Sequence, residues 1–211
     1  MEFFIKKWID EGIIKDKKIA AAFRKADRKY FVPEEYKDNI YSDHPLHIGK
    51  GQTISQPTTV AIMTQALEVK PGQKILEIGS GSGWQSAVLS FIVGKKEEII
   101  TIEYIKELAE LAKNNLKKLN IKNVLVIHGD GSKGYKKEAP FDRIILTSAA
   151  SDFPKPLINQ LKEGGIILGP LGSRFEQEMV KARKIDGKLE REYLGGFIFV
   201  PLVGKHNYYN N

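Results

Sequence analysis

The segment Leu76-Glu77-Ile78-Gly79-Ser80-Gly81-Ser82-Gly83 constrains this chain more than any other. An apolar stretch from Lys74 to Ile78 runs into three glycines at alternate positions, and Trp84 to Val93 then reads as a helix. A strand that empties through glycines into a helix sets free backbone N–H groups at the carboxyl end of a parallel sheet, where ligands of such sheets bind. The same rhythm continues downstream. Strands are predicted over Glu98–Ile102, Asn123–His128, Phe141–Thr147 and Gly165–Leu168, and helices over Ile105–Leu119 and Pro156–Leu161. Repeated units of this kind imply parallel strands with right-handed crossovers, hence an α/β fold with a doubly wound, Rossmann-like sheet. Glu178–Ile185 and Leu189–Leu194, joined at Asp186-Gly187, predict an antiparallel hairpin closing one edge.

Upstream the texture differs. Phe4, Ile5, Trp8 and Ile9 recur at helical spacing, as do Ile19, Ala20, Phe23 and Ala26 beyond the Gly12 break. From Pro33 to Gln56 the chain is rich in Pro, Gly, His and aromatic residues without periodicity, which predicts an irregular loop before a helix through Val60, Ile62, Met63 and Leu67. We therefore expect residues 1–56, helices and a substrate or cofactor loop, to pack on a core of residues 57–211 as one structural domain. A chain of 211 residues is long enough for a single core.

Composition removes several chemistries. There is no cysteine, so disulfides, thiolate metal sites and a cysteine nucleophile are excluded. Glu2, Lys6 and Lys7 interrupt the N-terminal apolar stretch, and no apolar run approaches the ~20 residues of a membrane span, so a cytoplasmic protein without a membrane partner is expected. Lys and Arg exceed Asp and Glu by 33 to 26, but the signs are interspersed, which suits a solvated surface better than a nucleic-acid face.

Three successive strand ends carry candidate ligand groups. The glycine spacing is G-x-G-x-G with Trp84 next, rather than the G-x-G-x-x-G that accommodates a pyrophosphate. Glu103 stands where an acid accepts hydrogen bonds from ribose hydroxyls, and Gly129-Asp130-Gly131 offers a short carboxylate to an adenine amino group. Each has a plainer alternative: a glycine turn, a carboxylate facing a helix dipole, and a loop turn. An acid used only by a bound ribose leaves the stability of the ligand-free protein almost unchanged when removed. Taken together, the three point to a nucleoside-containing cofactor.

The chain resembles the protein-L-isoaspartate O-methyltransferases, which use S-adenosyl-L-methionine. Phe31-Val32-Pro33 and the segment from His44 through Gly49-Lys50-Gly51-Gln52-Thr53-Ile54-Ser55-Gln56-Pro57 are similar to that family's distinctive pre-loop. Leu76 to Gln85 resembles its glycine motif, His128 to Gly131 its adenine-side motif, Pro140-Phe141-Asp142 its fourth strand, and Val200-Pro201-Leu202 its C-terminal signature. Trp84 stands where tyrosine is frequent, Thr58 where an aromatic or histidine is expected, and Ser151 where proline often follows the alanine pair.

The resemblance implies methyl transfer to the free α-carboxylate of isoaspartyl residues in damaged proteins and peptides, which are then the partners. It implies Ser55 as the catalytic position, and a cofactor held by Gln52, Thr53, Ile54, Ser55, Glu77, Gly79, Gly81, Ser82, Glu103, Gly129, Asp130 and Gly131. Substrate contacts would come from Thr53, Ser55, Val200 and Leu202, with no metal and a monomeric enzyme. A carboxylate with a pKa near ~4 is ionised at neutral pH, so the transfer needs no general base and rests on alignment in a dry site. Ser55 also precedes Pro57 and a helix, where it could act as an N-cap. His44 and His47 lack a carboxylate at ligand spacing and read as loop residues. The competing readings are a methyltransferase of the same scaffold acting on a small molecule or RNA, and a non-catalytic nucleic-acid-binding protein.

Overall fold

The structure, a computed structural model, describes residues 1–94 and 99–206. Seven strands form the central sheet: β3 (Ile75–Ile78), β4 (Ile99–Glu103), β5 (Val124–His128), β6 (Phe141–Leu146), β7 (Leu161–Gly172), β8 (Gln177–Ile185) and β9 (Lys188–Phe197). Their order is β5-β4-β3-β6-β7-β8-β9, the first five parallel and the last two antiparallel. Strand order reverses at β3, which pairs with β4 on one side and β6 on the other, so the crevice of a doubly wound sheet opens above the end of β3. Glu98, the expected start of the second core strand, lies outside the described residues.

Strand alternation divides the core in two. Leu76, Ile78, Ile100, Ile102, Ile144 and Leu146 face one apolar cluster, whereas Ile75, Ile99 and Ile145 face the other. The second cluster also takes in α1 (Glu2–Asp10), α2 (Lys17–Lys25), α3 (Pro57–Ala66), α4 (Trp84–Val93) and α5 (Lys106–Lys118). Period two therefore sends Glu77, Thr101 and Glu103 toward that helical face. A run of aromatic contacts ties the N-terminal helices to the glycine motif: Phe4 on Trp8 (5.3 Å), Trp8 on Phe23 (5.0 Å) and Phe23 on Trp84 (6.0 Å). Ile9 departs from the expected apolar face and is 48% exposed, because it lies a further 100° round the short helix from Trp8.

Two expectations change. The segment read as an irregular loop contains a hairpin, β1 (Leu46–Gly49) with β2 (Gln52–Ile54), closed by Lys50 and Gly51 at φ 54° and 70°. β7 begins four residues earlier than Gly165–Leu168 because Leu161 pairs with Phe141 of β6 ahead of a register shift, and ends four residues later because its antiparallel pairing with β8 runs on to Gly172. The short α6 (Lys155–Gln160) leads directly into β7. Among the described residues no helix is long and apolar enough to cross a membrane.

Candidate active site

A cleft partly open to solvent, with about 820 Å³ of empty space counted out into its open mouth, lies over the carboxyl ends of β3, β4 and β6. Its floor is the glycine loop. Gly79 has φ 97°, and a Cβ there would stand 2.5 Å from the Thr147 hydroxyl oxygen, so only glycine fits. The Thr147 hydroxyl approaches the carbonyls of Ile78 and Gly79 at 3.0 and 2.6 Å, and Asn115 of α5 donates to the Ser82 carbonyl at 3.0 Å. The loop is thus held from both sides by neighbouring elements.

Glu103 ends β4 and is buried at the cavity wall. One carboxylate oxygen accepts the Gly81 amide at 2.9 Å, and the other accepts the Ile105 amide at 3.0 Å, just ahead of α5. The acid therefore orders the glycine loop in the ligand-free chain. The expectation that its removal would leave stability unchanged is corrected by these two bonds. Each oxygen retains a further lone pair for an external donor.

Glu77 is wholly buried beneath α4 and accepts a hydrogen bond from the Ser86 hydroxyl on one oxygen. Its Oε1 has no protein partner among the described residues. Burial pushes the carboxyl up to about 7, against the pull of the Ser86 hydroxyl. Gln85 presents a second orphaned acceptor. The Thr64 hydroxyl proton is committed to the Val60 carbonyl at 2.7 Å, so Thr64 can only accept from the Gln85 NH₂ at 3.0 Å, and Gln85 Oε1 is left unpaired. Two buried acceptor oxygens on residues of one cavity wall fit a ligand rich in N–H donors. Gln85 belongs to the glycine motif but was not counted as a contact; the signal was a long polar side chain in a first turn that is buried throughout.

The pre-loop forms the opposite wall through Gln52, Ile54 and Ser55. Ser55 is not the cap of the following helix. The N-cap position is Gln56, and Asp43 accepts the first-turn Thr58 amide at 3.0 Å and its hydroxyl at 2.6 Å. The Ser55 hydroxyl makes no hydrogen bond among the described residues, while the Ser55 carbonyl is held from below by Arg28 at 3.2 Å. The capping alternative is thereby corrected.

The C-terminal segment closes the far side. Ala149 donates to the Val200 carbonyl at 2.8 Å and receives the Leu202 amide at 2.7 Å, so Val200 and Leu202 run across the end of β6 as a strap lining the cavity. Of the remaining candidates Gly131 lines the cavity and Thr53, Gly129 and Asp130 do not. The Asp130 carboxylate instead accepts the Ser132 hydroxyl at 2.6 Å and the backbone amide of Lys205 at 3.0 Å, pinning the strap's end. Thr53 lies mid-strand opposite His47. Tyr104, Thr147 and Ser148 line the cavity without having been singled out, since nothing in their local sequence marks them.

A family model described as protein-L-isoaspartate (D-aspartate) O-methyltransferase matches residues 1–207. A protein-L-isoaspartate O-methyltransferase of Methanopyrus kandleri is 47% identical over 199 residues, 93% of this chain and 88% of its own. One of Methanococcus aeolicus is 45% identical over 210 residues, covering 100% of this chain and 97% of its own. Among solved structures, a protein-L-isoaspartate O-methyltransferase aligns at 31% identity with TM-score 0.86 over 97% of this chain, which spans 65% of that longer chain. A Plasmodium falciparum protein described as a putative member, in complex with S-adenosyl-L-homocysteine, aligns at 26% identity with TM-score 0.82, covering 94% of this chain and 96% of its own. With that match running from the first helix through the strap, and the cavity walled by the same pre-loop, glycine and C-terminal motifs, this chain belongs to the protein-L-isoaspartate (D-aspartate) O-methyltransferase family.

Proposed function

We propose that this cavity carries a methyl group from S-adenosyl-L-methionine to the free α-carboxylate of L-isoaspartyl residues in damaged proteins and peptides, which begins their repair. The observation that carries the reading is the meeting, in one cavity, of an unengaged Ser55 hydroxyl with the glycine loop and two orphaned buried acceptors. The cofactor, when bound, supplies a methyl group made electrophilic by a sulfonium.

The chain's own residues do the rest by position. Glu103 offers its free lone pairs to ribose hydroxyls, and the unpaired oxygens of Glu77 and Gln85 suit N–H donors of the cofactor. Ser55 donates its hydroxyl to the acceptor carboxylate, holding one oxygen toward the methyl-bearing side. That carboxylate is already ionised, so no residue removes a proton. Ile54, Val60 and Trp84 supply an apolar wall that excludes water while opposite charges cancel. Val200 and Leu202 face the peptide side, and Gly129, Asp130 and Thr53 support the walls from behind.

The same reading has the chain acting as a monomer in the cytoplasm, with residues 1–56 and 57–211 working as one domain. The N-terminal helices sharing a core cluster with α3 and α4 support the last point. The test is to incubate the protein with methyl-labelled S-adenosyl-L-methionine and isoaspartyl peptide, then raise the pH. A carboxyl methyl ester releases volatile labelled methanol. Label that stays on the acceptor, or that enters only RNA or a small molecule, would contradict the reading.

A further inference from the structure

Arg28 stands out among the buried groups. It is 0% exposed, sits in a short 3-10 turn (Arg28–Tyr30), and pairs with no carboxylate among the described residues. Its guanidinium instead spreads over four backbone carbonyls: Ile40 at 2.7 Å, Ser42 at 3.2 Å, His44 at 3.0 Å and Ser55 at 3.2 Å. Its Nε has no partner among the described residues. Burial pulls this guanidinium down to about 10, against the nearby charge of Asp43.

A buried cation is costly unless its donors are used, and four fixed N–H groups make arginine the residue able to bind carbonyls from separate stretches of chain at once. Three of those carbonyls belong to the loop before β1. The fourth is Ser55's own, after β2. Arg28 therefore closes the two ends of the β1–β2 hairpin together and fixes the backbone that carries the Ser55 hydroxyl.

The other face of Arg28 meets the cofactor side of the cavity. Its guanidinium lies 5.5 Å from the Trp84 ring centroid, and the Trp84 indole N–H donates to the Ala26 carbonyl at 2.8 Å, two residues before Arg28. Trp84 opens α4 directly after the glycine loop. One short stretch, Ala26 to Arg28, thus touches both the wall that carries Ser55 and the wall that carries the glycines.

We propose that Arg28 is a positioning residue for methyl transfer: it sets the distance between the Ser55 hydroxyl and the glycine-loop side of the cavity without contacting either reactant. The proposal rests on Ser55 holding the acceptor. It makes the serine's placement depend on a planar, multi-pronged donor rather than on positive charge alone. Lysine keeps the charge, but its single nitrogen cannot reach carbonyls spread over residues 40 to 55.

The test is a double-mutant cycle of Arg28→Lys and Ser55→Ala, with turnover on isoaspartyl peptide expressed per S-adenosyl-L-homocysteine binding site, so that only folded molecules count. Arg28→Gln serves as a second variant. We expect Arg28→Lys to lower kcat about tenfold with the S-adenosyl-L-homocysteine Kd within about threefold of the parent, and to cost less than about twofold more when Ser55 is already alanine. If Ser55→Ala lowers kcat but the two effects multiply independently, Arg28 does not act through Ser55 and this proposal fails alone. If Ser55→Ala leaves kcat intact, the serine reading fails and this one with it. Normal kcat per site with a lowered melting temperature, or loss of binding sites in both Arg28 variants, would make Arg28 a purely structural residue and overturn the proposal.

Discussion

Asp43 accepts both the backbone amide and the hydroxyl of Thr58, at 3.0 and 2.6 Å, so the helix after Ser55 is capped by a side chain fifteen residues upstream. The Trp8 indole N–H reaches the same Thr58 hydroxyl at 2.9 Å, joining α1 to the cap. The arrangement relieves Ser55 of any capping duty. Ser55→Ala should therefore change stability by less than about 0.5 kcal/mol, whereas Asp43→Ala should cost about 1–2 kcal/mol. Turnover of Ser55→Ala on saturating isoaspartyl peptide should fall by about ten- to a hundredfold, the loss expected for one positioning hydrogen bond made in the transition state. Melting temperature and kcat on the same preparations check both halves. A lowered melting point with normal kcat would contradict them.

Glu103→Ala removes two backbone acceptors as well as the group offered to the ribose. The half-buried Gly81 and Ile105 amides would lose their partner, so the ligand-free protein should become less stable by about 1–2 kcal/mol. Calorimetry with S-adenosyl-L-homocysteine should show at least a tenfold weaker Kd, roughly 1.4 kcal/mol. An unchanged Kd beside lowered stability would confine Glu103 to ordering the loop.

Glu77 predicts a specific pH dependence. Its folded value of about 7 lies above the ordinary glutamate value of about 4.5, so folding favours the neutral acid. Stability from this group is complete below about 4.5, declines as pH rises through that window, and is fully lost above about 7. Glu77→Gln removes the ionisation. In urea titrations the variant should gain on the parent between about pH 4.5 and 7, by up to about 3 kcal/mol, and the difference should level off above that. A difference independent of pH would contradict the buried, unpaired carboxyl.

Trp84→Tyr tests what the indole does at the opening of α4. The indole N–H bonded to the Ala26 carbonyl at 2.8 Å would be lost, and the indole 5.5 Å from the Arg28 guanidinium would give way to a smaller ring. A phenol hydroxyl projects farther along the ring axis and cannot replace that donor. Destabilisation of about 1–3 kcal/mol is expected from the urea midpoint, chiefly from the unsatisfied carbonyl.

Where the sequence was legible, chemistry was local. β3, the glycine loop and α4 follow one another at Ile75–Ile78, Gly79–Gly83 and Trp84–Val93, and each carries its own signal: an apolar run, positive-φ glycines and a helix opening. The β1–β2 hairpin carries none, since strands of four and three residues are too short to show alternation and His47, Gln52 and Thr53 are polar. Long-range partners were equally hidden. Asp130 reads as an adenine acceptor because it ends a strand, yet its carboxylate holds Lys205, seventy-five residues away. Likewise nothing near Arg28 in sequence announces that it will gather carbonyls from residues 40 to 55.

Methyl transfer to an isoaspartyl peptide beside its normal aspartyl twin tests the account most directly. The two differ only in which carboxyl of the residue carries the peptide bond, so a site built around Ser55 and the strap must read a free α-carboxylate displaced by one methylene. The isoaspartyl peptide should take up base-labile methyl label from S-adenosyl-L-methionine and the aspartyl twin almost none. Equal labelling of the two, or label on neither, would contradict it.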